Sequence, residues 1–293
     1  MWQEYLFPGS AEEALQMLAE RRGRARIIAG GTDLVLQSQQ GKIQATTLVD
    51  ITRIPGLDFI EEREGYIYLG AQVTHAQIAA SPLIRAKGDV LAMACGSVGG
   101  PQIRNMGTLV GNVVNALPAA DGAVALFALD AETEVASLSA RRWLPIAEVY
   151  QNVGVCVVDP SAEMITALRF PALQPRHKGA FQRLAPRRSL ALPILNTAVV
   201  VGVQEGRFTE ARIAIGPVAP TPFRAKEAED VLIGQCVGGA VIKRAAELAA
   251  AAAQPRDSVL RGSKEYRKAL VEVLVRRALA EAAGLWPRTS GGK

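Results

Sequence analysis

Two glycine-rich turns, about eighty residues apart, are the segments of this chain best suited to bind a ligand. The first is Ile28-Ala29-Gly30-Gly31-Thr32-Asp33-Leu34, and the second runs Thr108-Leu109-Val110-Gly111-Asn112 and on to Asp121. Glycine has no side chain, so the backbone N–H groups of each turn are exposed. Such groups form a partly positive nest that suits a pyrophosphate. Either turn alone is more simply a tight turn that needs a positive φ. As a pair, they could grip one diphosphate from both sides, which indicates a dinucleotide cofactor.

The sequence lacks the motifs that are typical of other cofactor sites and of metal sites. No G-x-G-x-x-G opens a helix and no G-x-x-x-x-G-K-[ST] occurs, so neither a Rossmann site nor a P-loop is indicated. The cysteines, Cys95, Cys156 and Cys236, lie far apart, so the chain cannot supply four thiolates to an iron–sulfur cluster. His75 and His177 are isolated and offer no metal-ligand spacing. We expect His75, which follows Thr74 at a helix start, to be a surface or capping residue.

The composition is that of an ordinary globular protein. Hydrophobic residues make up 49% of the 293 residues and charged residues 21%. The net charge is +5, but the basic residues are scattered and aromatic residues are only 5%, which argues against a nucleic-acid partner. No run approaches the ~20 apolar residues of a membrane span. An odd cysteine count without a signal peptide predicts a cytoplasmic protein.

The periodicity predicts mixed elements around the two turns. The first turn lies between a buried strand at 24–29 and a helix from Leu34 that Thr32 or Asp33 can cap. Hairpins are expected at 59–69 and 132–143, a long irregular stretch at 96–115, and a strand at 164–170. Antiparallel strands follow at 181–184, 197–203 and 208–215, then helices at 224–233, 241–253 and 263–283. The fold class is therefore α+β, with domains at 1–54, 55–175 and 176–288 and a flexible tail at 289–293.

Three sequence runs together resemble a known family. They are A-G-G-T-D-L in the first turn, P-Q-I-R-N-M-G-T-L-V-G-N-x-x-N-A-x-P-A-A-D at 101–121, and R-G-S-x-x-Y-R-x-x-L-x-x-V-L-x-R-R-A-L at 261–279. In this order they resemble the FAD-binding medium subunit of molybdenum hydroxylases, the xanthine dehydrogenase and carbon monoxide dehydrogenase family, over essentially the whole chain. The resemblance implies a two-sub-domain FAD-binding fold of the vanillyl-alcohol oxidase (PCMH) type. It also implies a C-terminal domain. From the strands and helices predicted after residue 180, we expect this domain to be a three-stranded antiparallel sheet with helices.

The resemblance also implies a division of labour among subunits. A large subunit would hold molybdopterin and oxidise the substrate, and a small subunit would hold [2Fe–2S] clusters. This chain would take electrons from those clusters on FAD and pass them to NAD+ or another acceptor. We expect the subunits to assemble as a dimer of heterotrimers.

The family's cofactor-binding positions carry over to this chain residue by residue. Residues 28–34 would wrap the diphosphate with N–H groups, and Thr108, Gly111 and Asn112 would hold it from the other side. Asp121 would bind the polar edge of the flavin or its ribityl chain. Arg183 either supplies a positive charge near the reduced flavin or is a surface arginine on a strand. The full set is Ile28, Ala29, Gly30, Gly31, Thr32, Asp33, Leu34, Val98, Gly100, Thr108, Gly111, Asn112, Asp121, Ile165, Arg183 and Leu192.

Two departures from the family pattern bear on function. Val110 precedes Gly111 where the family often has a second glycine, and its N–H can still donate. Ser189-Leu190-Ala191-Leu192-Pro193 replaces an acidic residue followed by Ile-Ala, so Leu192 becomes a candidate for controlling access of NAD+ or oxygen. No side chain is predicted to act as a covalent catalyst, because the cofactor would carry the chemistry. The alternatives are a self-contained flavin oxidoreductase and a flavin-free assembly subunit.

Overall fold

The computed structural model describes residues 2–187 and 189–287. The chain begins with a small unit of three strands and two helices: β1 (Glu4–Leu6), α1 (Ala11–Glu20), β2 (Ala25–Ile28), α2 (Leu34–Gln39) and β3 (Thr47–Asp50). The sheet is parallel with the order β1-β3-β2. Ser10 caps α1 by accepting the Glu13 N–H at 3.1 Å, and Ala14, Leu15 and Leu18 are buried on one face. This packing holds β2 in place, and the first glycine turn follows β2 directly.

The middle of the chain surrounds an antiparallel sheet of five strands. Its elements are β4 (Ile60–Arg63), β5 (Tyr66–Gly70), α3 (His75–Ala80), α4 (Pro82–Lys87), α5 (Asp89–Ser97), α6 (Pro101–Met106), α7 (Leu109–Val114), α8 (Asp121–Ala128), β6 (Glu132–Ala136), β7 (Arg141–Pro145), α9 (Ile146–Val149), β8 (Tyr150–Asn152), β9 (Val155–Cys156) and β10 (Met164–Pro171). The sheet order is β4-β5-β10-β6-β7, and β8 pairs with β9. The helix α8 is buried along its whole length, which matches its apolar sequence after Asp121 at the first position.

The C-terminal part is a four-stranded antiparallel sheet covered by helices. Its elements are β11 (His177–Leu184), β12 (Leu195–Gln204), β13 (Arg207–Gly216), β14 (Phe223–Arg224), α10 (Lys226–Asp230), α11 (Gly239–Ala252) and α12 (Lys264–Ala282). A second hydrophobic core forms where α12 packs on this sheet and α11 packs on α12. The opposite side of β12 and β13 packs on α8. The C-terminal sheet therefore forms one wall of the region that contains the second glycine turn.

The α+β class and most predicted elements are confirmed, with two corrections. The stretch 96–115 is not irregular, because it contains α6 and α7. Pro101 at the first position of α6 and Thr108 at the cap of α7 favour these short helices. The C-terminal sheet has a fourth strand, β14, so Arg224 lies in a strand rather than at a helix start; its guanidinium pairs with Asp130 and Glu229. The predicted domain limits remain predictions, and the predicted tail, 289–293, lies outside the described residues.

Candidate functional site

The first glycine turn keeps its backbone N–H groups free. In the described part of the chain, the N–H groups of residues 29–34 donate no hydrogen bond to a protein acceptor. Asp33 occupies the cap position of α2, but its side chain makes no capping bond, and Thr32 does not substitute for it. The predicted side-chain cap is therefore wrong. Its absence leaves the consecutive N–H donors of the turn available to an anion.

The second turn is a capped helix start rather than an open nest. Thr108 Oγ1 accepts the Gly111 N–H at 3.0 Å, and the Asn112 N–H donates to the Thr108 carbonyl at 3.1 Å. The Leu109 N–H donates to Val73 at 3.1 Å. The expectation of bare N–H groups is therefore wrong for Gly111 and Asn112. The unused polar group here is Asn112 Oδ1, which is buried and has no hydrogen-bond partner among the described residues.

The two turns pack directly against each other. A Cβ on Gly30 would lie 1.9 Å from the Met106 carbonyl oxygen and 3.0 Å from the Cα of Gly107, so only glycine fits at position 30. Farther along, Gln37 Nε2 donates to Asn115 Oδ1 at 2.7 Å and ties α2 to the end of α7. The structure therefore brings the two turns of the sequence analysis into one place.

A cavity of about 500 Å³ opens where the turns meet. This volume is in the range of cofactor and ligand sites. Asp58 is the one charged residue among the described residues that line the cavity, and neither lysine nor arginine is among them. The lining consists of Ala29, Gly30, Thr52, Asp58, Gln72, Thr74, Ala76, Gln77, Asn105, Met106 and Thr108. Any phosphate in this cavity would therefore rely on backbone N–H groups.

Asp121 and Arg183 form a buried ion pair beside the second turn. The Arg183 Nε lies 3.0 Å from the Asp121 Oδ2, and their side chains are 12% and 6% exposed. Asn196 Nδ2 donates to the other carboxylate oxygen of Asp121 at 2.6 Å. Burial raises the pKa of Asp121, and the Arg183 charge and the Asn196 hydrogen bond oppose that rise. The alternative of Arg183 as a surface arginine is therefore wrong.

Residues 189–194 lie beside this ion pair and contact the residues that follow α5. Arg183 also donates to the Ala191 carbonyl, and the Leu190 N–H donates to the Gly99 carbonyl at 3.3 Å. A Cβ on Gly100 would lie 3.4 Å from Leu190 Cδ2. Leu192 is 60% exposed. The structure therefore places Gly100 beside the segment that departs from the family pattern.

Val98 and Ile165, two other predicted site residues, lie in different surroundings. Val98 ends α5, and its carbonyl accepts a hydrogen bond from Arg104 Nη1 at 2.9 Å. Ile165 lies on β10, is 2% exposed and packs in the main hydrophobic core. Ile165 is not among the residues that line the cavity. Its side chain therefore offers no surface to a ligand.

His75 is a site residue whose position the sequence did not reveal. It is 2% exposed, and Thr74, not His75, caps α3, so the expectation of a surface or capping role is wrong. Its N–H donates to the Gly107 carbonyl at 3.0 Å, and its Nδ1 lies 3.4 Å from Cys95 Sγ. Burial, with a smaller contribution from the Arg104 charge, lowers the pKa of His75 to about 4. The ring is therefore neutral at pH 7 and packs beneath the second turn.

The cavity residues Thr52, Asp58, Gln72 and Gln77 were also missed. One signal was available: Gln77 is the third residue after Thr74 and completes a capping box with it. Gln72 Nε2 donates to the Ile54 carbonyl at 2.8 Å, a contact between distant segments that no local pattern reveals. No group of three or more metal-ligating side chains occurs within residues 2–187 and 189–287. No helix in those ranges is both long and apolar enough to cross a membrane.

Two family models match the chain in succession. Residues 2–173 match the FAD-binding domain in molybdopterin dehydrogenase, and residues 180–282 match the C-terminal domain of the CO dehydrogenase flavoprotein. The first match alone covers more than half of the chain. Both matches lie on elements described above, and the two glycine turns fall within the first.

Similar proteins match over almost their full length. The 6-hydroxypseudooxynicotine dehydrogenase complex subunit alpha of Paenarthrobacter nicotinovorans is 34% identical, with 95% of this chain and 94% of the relative covered. The xanthine dehydrogenase FAD-binding subunit of Escherichia coli O157:H7 is 29% identical, with 96% and 94% covered. The solved structure of a carbon monoxide dehydrogenase from Hydrogenophaga pseudoflava, which lacks the Mo-pyranopterin moiety of its molybdenum cofactor, superposes with a TM-score of 0.92. That chain is 29% identical, with 97% of this chain and 98% of the other covered.

Proposed function

The chain belongs to the family of FAD-binding subunits of molybdopterin dehydrogenases, and from that premise we propose that it is the electron-output subunit of a molybdenum hydroxylase complex. It takes electrons from the [2Fe–2S] clusters of a small partner subunit and passes them from FAD to NAD+ or another acceptor. A large partner subunit holds the molybdopterin, and the complex is a dimer of heterotrimers in the cytoplasm. The substrate is determined by the large subunit.

The free N–H groups of residues 29–34 are the observation that carries this proposal. A diphosphate needs several donors at close range, and this turn offers consecutive donors beside a cavity whose lining contains no basic side chain. The close approach of Gly30 to Met106 fixes the first turn against the second. The orphaned Asn112 Oδ1 is an acceptor that suits a hydroxyl of the same ligand. The residues present therefore fit FAD.

We assign the parts of the cofactor to the residues around it as follows. Residues 29–34 hold the diphosphate by N–H groups, and Ile28 ends the strand that leads into them. Thr108 and Gly111 shape the facing turn, where the Asn112 side chain rather than its N–H is the polar contact. Arg183 places a positive charge near the flavin ring, and Asp121 holds that side chain in position. Val98, Gly100 and Leu192 line the approach to the ring, and Ile165 contributes through its backbone only.

The chain's own residues bind and position the cofactor and carry out no covalent step. When bound, FAD supplies the redox chemistry, since it accepts electrons singly and donates them in pairs. Arg183 is held by Asp121 and by the Ala191 carbonyl, so its positive charge keeps a fixed position. Leu190 and Leu192 lie on the loop that Arg183 fixes, where they limit the access of water and of the acceptor.

The test is to isolate the complex through a tag on the full chain in the organism that encodes it. We expect subunits containing molybdenum and iron to co-purify, and FAD to be released by acid. Anaerobic addition of NADH to the FAD-loaded chain should bleach its visible bands if NAD+ is the acceptor. A chain that oxidises substrates without partners would instead support the self-contained oxidoreductase. A chain that assembles with partners but holds no flavin would support the assembly subunit.

A further inference from the structure

The turn between α11 and α12 exposes two large apolar side chains. Val259 is 104% exposed and Leu260 is 85% exposed, more than any other large hydrophobic residue in the described part of the chain. We call this pair the apolar tip. It adjoins the R-G-S-x-x-Y-R run that begins at Arg261, which carried part of the family resemblance and plays no part in the FAD site. Two adjacent apolar side chains that project from the surface give a partner apolar area to bury.

The apolar tip is held in a defined conformation. The Ser258 N–H donates to the Gly262 carbonyl at 3.1 Å, and the Gly262 N–H donates to the Ser258 carbonyl at 2.9 Å. Gly262 has a φ of +87°, and a Cβ there would lie 2.8 Å from the Tyr266 ring. Asp257 Oδ1 accepts the Lys264 N–H at 2.8 Å, which closes the base of the turn. A pre-organised turn loses little conformational entropy when it is buried by a partner.

Three arginines surround the base of the tip without a counter-charge. Arg267 is 4% exposed, and it donates to the carbonyls of Arg256, at 2.8 Å, and of Pro217. Its Nε has no hydrogen-bond partner. Within residues 2–187 and 189–287, no carboxylate forms an ion pair with Arg256, Arg261 or Arg267. Burial lowers the pKa of Arg267, as do the charges of Arg261 and Arg256. A buried positive charge without an anion is costly, and a nearby carboxylate would offset that cost.

We propose that the apolar tip inserts into an apolar pocket with a carboxylate rim on a partner subunit of the complex. The pocket buries Val259 and Leu260, and the rim provides the negative charge that the arginines lack. This inference rests on the proposed function, because it requires the heterotrimer. Charge complementarity favours a protein with an acidic rim over a second copy of this chain, whose own tip is basic.

The experiment uses the full chain and the molybdenum- and iron-containing subunits with which it co-purifies. Those subunits are separated from the tagged chain and titrated with fresh full chain by isothermal calorimetry. The test variants are V259S/L260S and R261E. The matched controls are L138S, an apolar residue 59% exposed in the turn between β6 and β7, and K243E, an exposed charge on α11.

We expect V259S/L260S and R261E each to weaken association at least about tenfold, because buried apolar and paired charged groups dominate interface affinity. The controls should stay within about twofold. All variants should keep the FAD spectrum, which shows that they fold. Amide hydrogen exchange at 256–262 should slow when the complex forms.

Three outcomes overturn the inference. V259S/L260S binds the partner subunits as tightly as the unaltered chain, the isolated chain self-associates through the tip in sedimentation velocity, or the tip binds vesicles of anionic phospholipid instead. Failure of the proposed function looks different, because no molybdenum- or iron-containing subunit then co-purifies with any form of the chain.

Discussion

Replacing Gly30 with alanine should separate the two turns and weaken FAD binding. The new Cβ would start 1.9 Å from the Met106 carbonyl oxygen, whereas real Cβ atoms stay beyond 3.0 Å, so the turns would have to move apart by about 1.1 Å. Overpacking of this kind costs about 1–3 kcal/mol of folding stability. The shift also displaces N–H donors from the diphosphate, and each charge-assisted bond contributes about 1.5–3 kcal/mol. Losing one such bond lowers the affinity for FAD about 10- to 150-fold.

The assay is a fluorescence titration of the flavin-free chain with FAD, together with urea unfolding. The matched control is Gly239→Ala at the start of α11, where a Cβ meets open space and no positive φ is required. This control should bind FAD normally and be as stable as the unaltered chain or slightly more stable. The reasoning is refuted if Gly30→Ala keeps both the FAD affinity and the unfolding midpoint of the unaltered chain.

Further predictions concern the residues beneath and beside the turns. His75 has a pKa of about 4 in the folded chain and about 6.5 when unfolded, so the unfolded state binds more protons between those values. The free energy of unfolding should therefore fall by up to about 3 kcal/mol as the pH drops from 6.5 to 4. Urea unfolding of His75→Asn at several pH values should show no such fall. Thr108→Ala should lose about 1 kcal/mol of stability while Thr108→Ser does not, which thermal unfolding can measure. Asp121→Asn leaves Arg183 buried without its counter-charge and should lower the free energy of unfolding by about 3–5 kcal/mol. Equal urea midpoints for the variant and the unaltered chain would show that the ion pair does not stabilise the fold. Leu192→Ala should change the ratio of NADH to oxygen reactivity in stopped-flow kinetics while the FAD content stays constant, and an unchanged ratio would remove Leu192 from the access route.

The course of the first turn could be predicted because the strand before it and the helix after it are local, whereas its packing against Met106 could not. An apolar strand, two glycines and a helix start follow one another within residues 25–39, and the structure has them as β2, the turn and α2. The helices α1 and α12 were predictable for the same reason, since Ser10 and Ser263 cap regular patterns of buried residues.

The features that were missed depend on contacts between distant segments. His75 has the sequence context of a surface helix start, and only the approach of Gly107 and Cys95 buries it. The Leu109 N–H of the second turn donates to the Val73 carbonyl, a distant partner that no spacing rule anticipates. The strand β14 has two residues and exists because it pairs with β13. Tertiary context decides each of these three features.

The most direct test of the account is a parallel titration of the flavin-free full chain with FAD and with riboflavin, which lacks both the diphosphate and the adenosine. We expect FAD to bind at least about a hundredfold more tightly, because the free N–H groups of residues 29–34 act on the phosphates. Equal affinities for the two ligands would contradict the account, since the first glycine turn would then make no contribution to binding the cofactor.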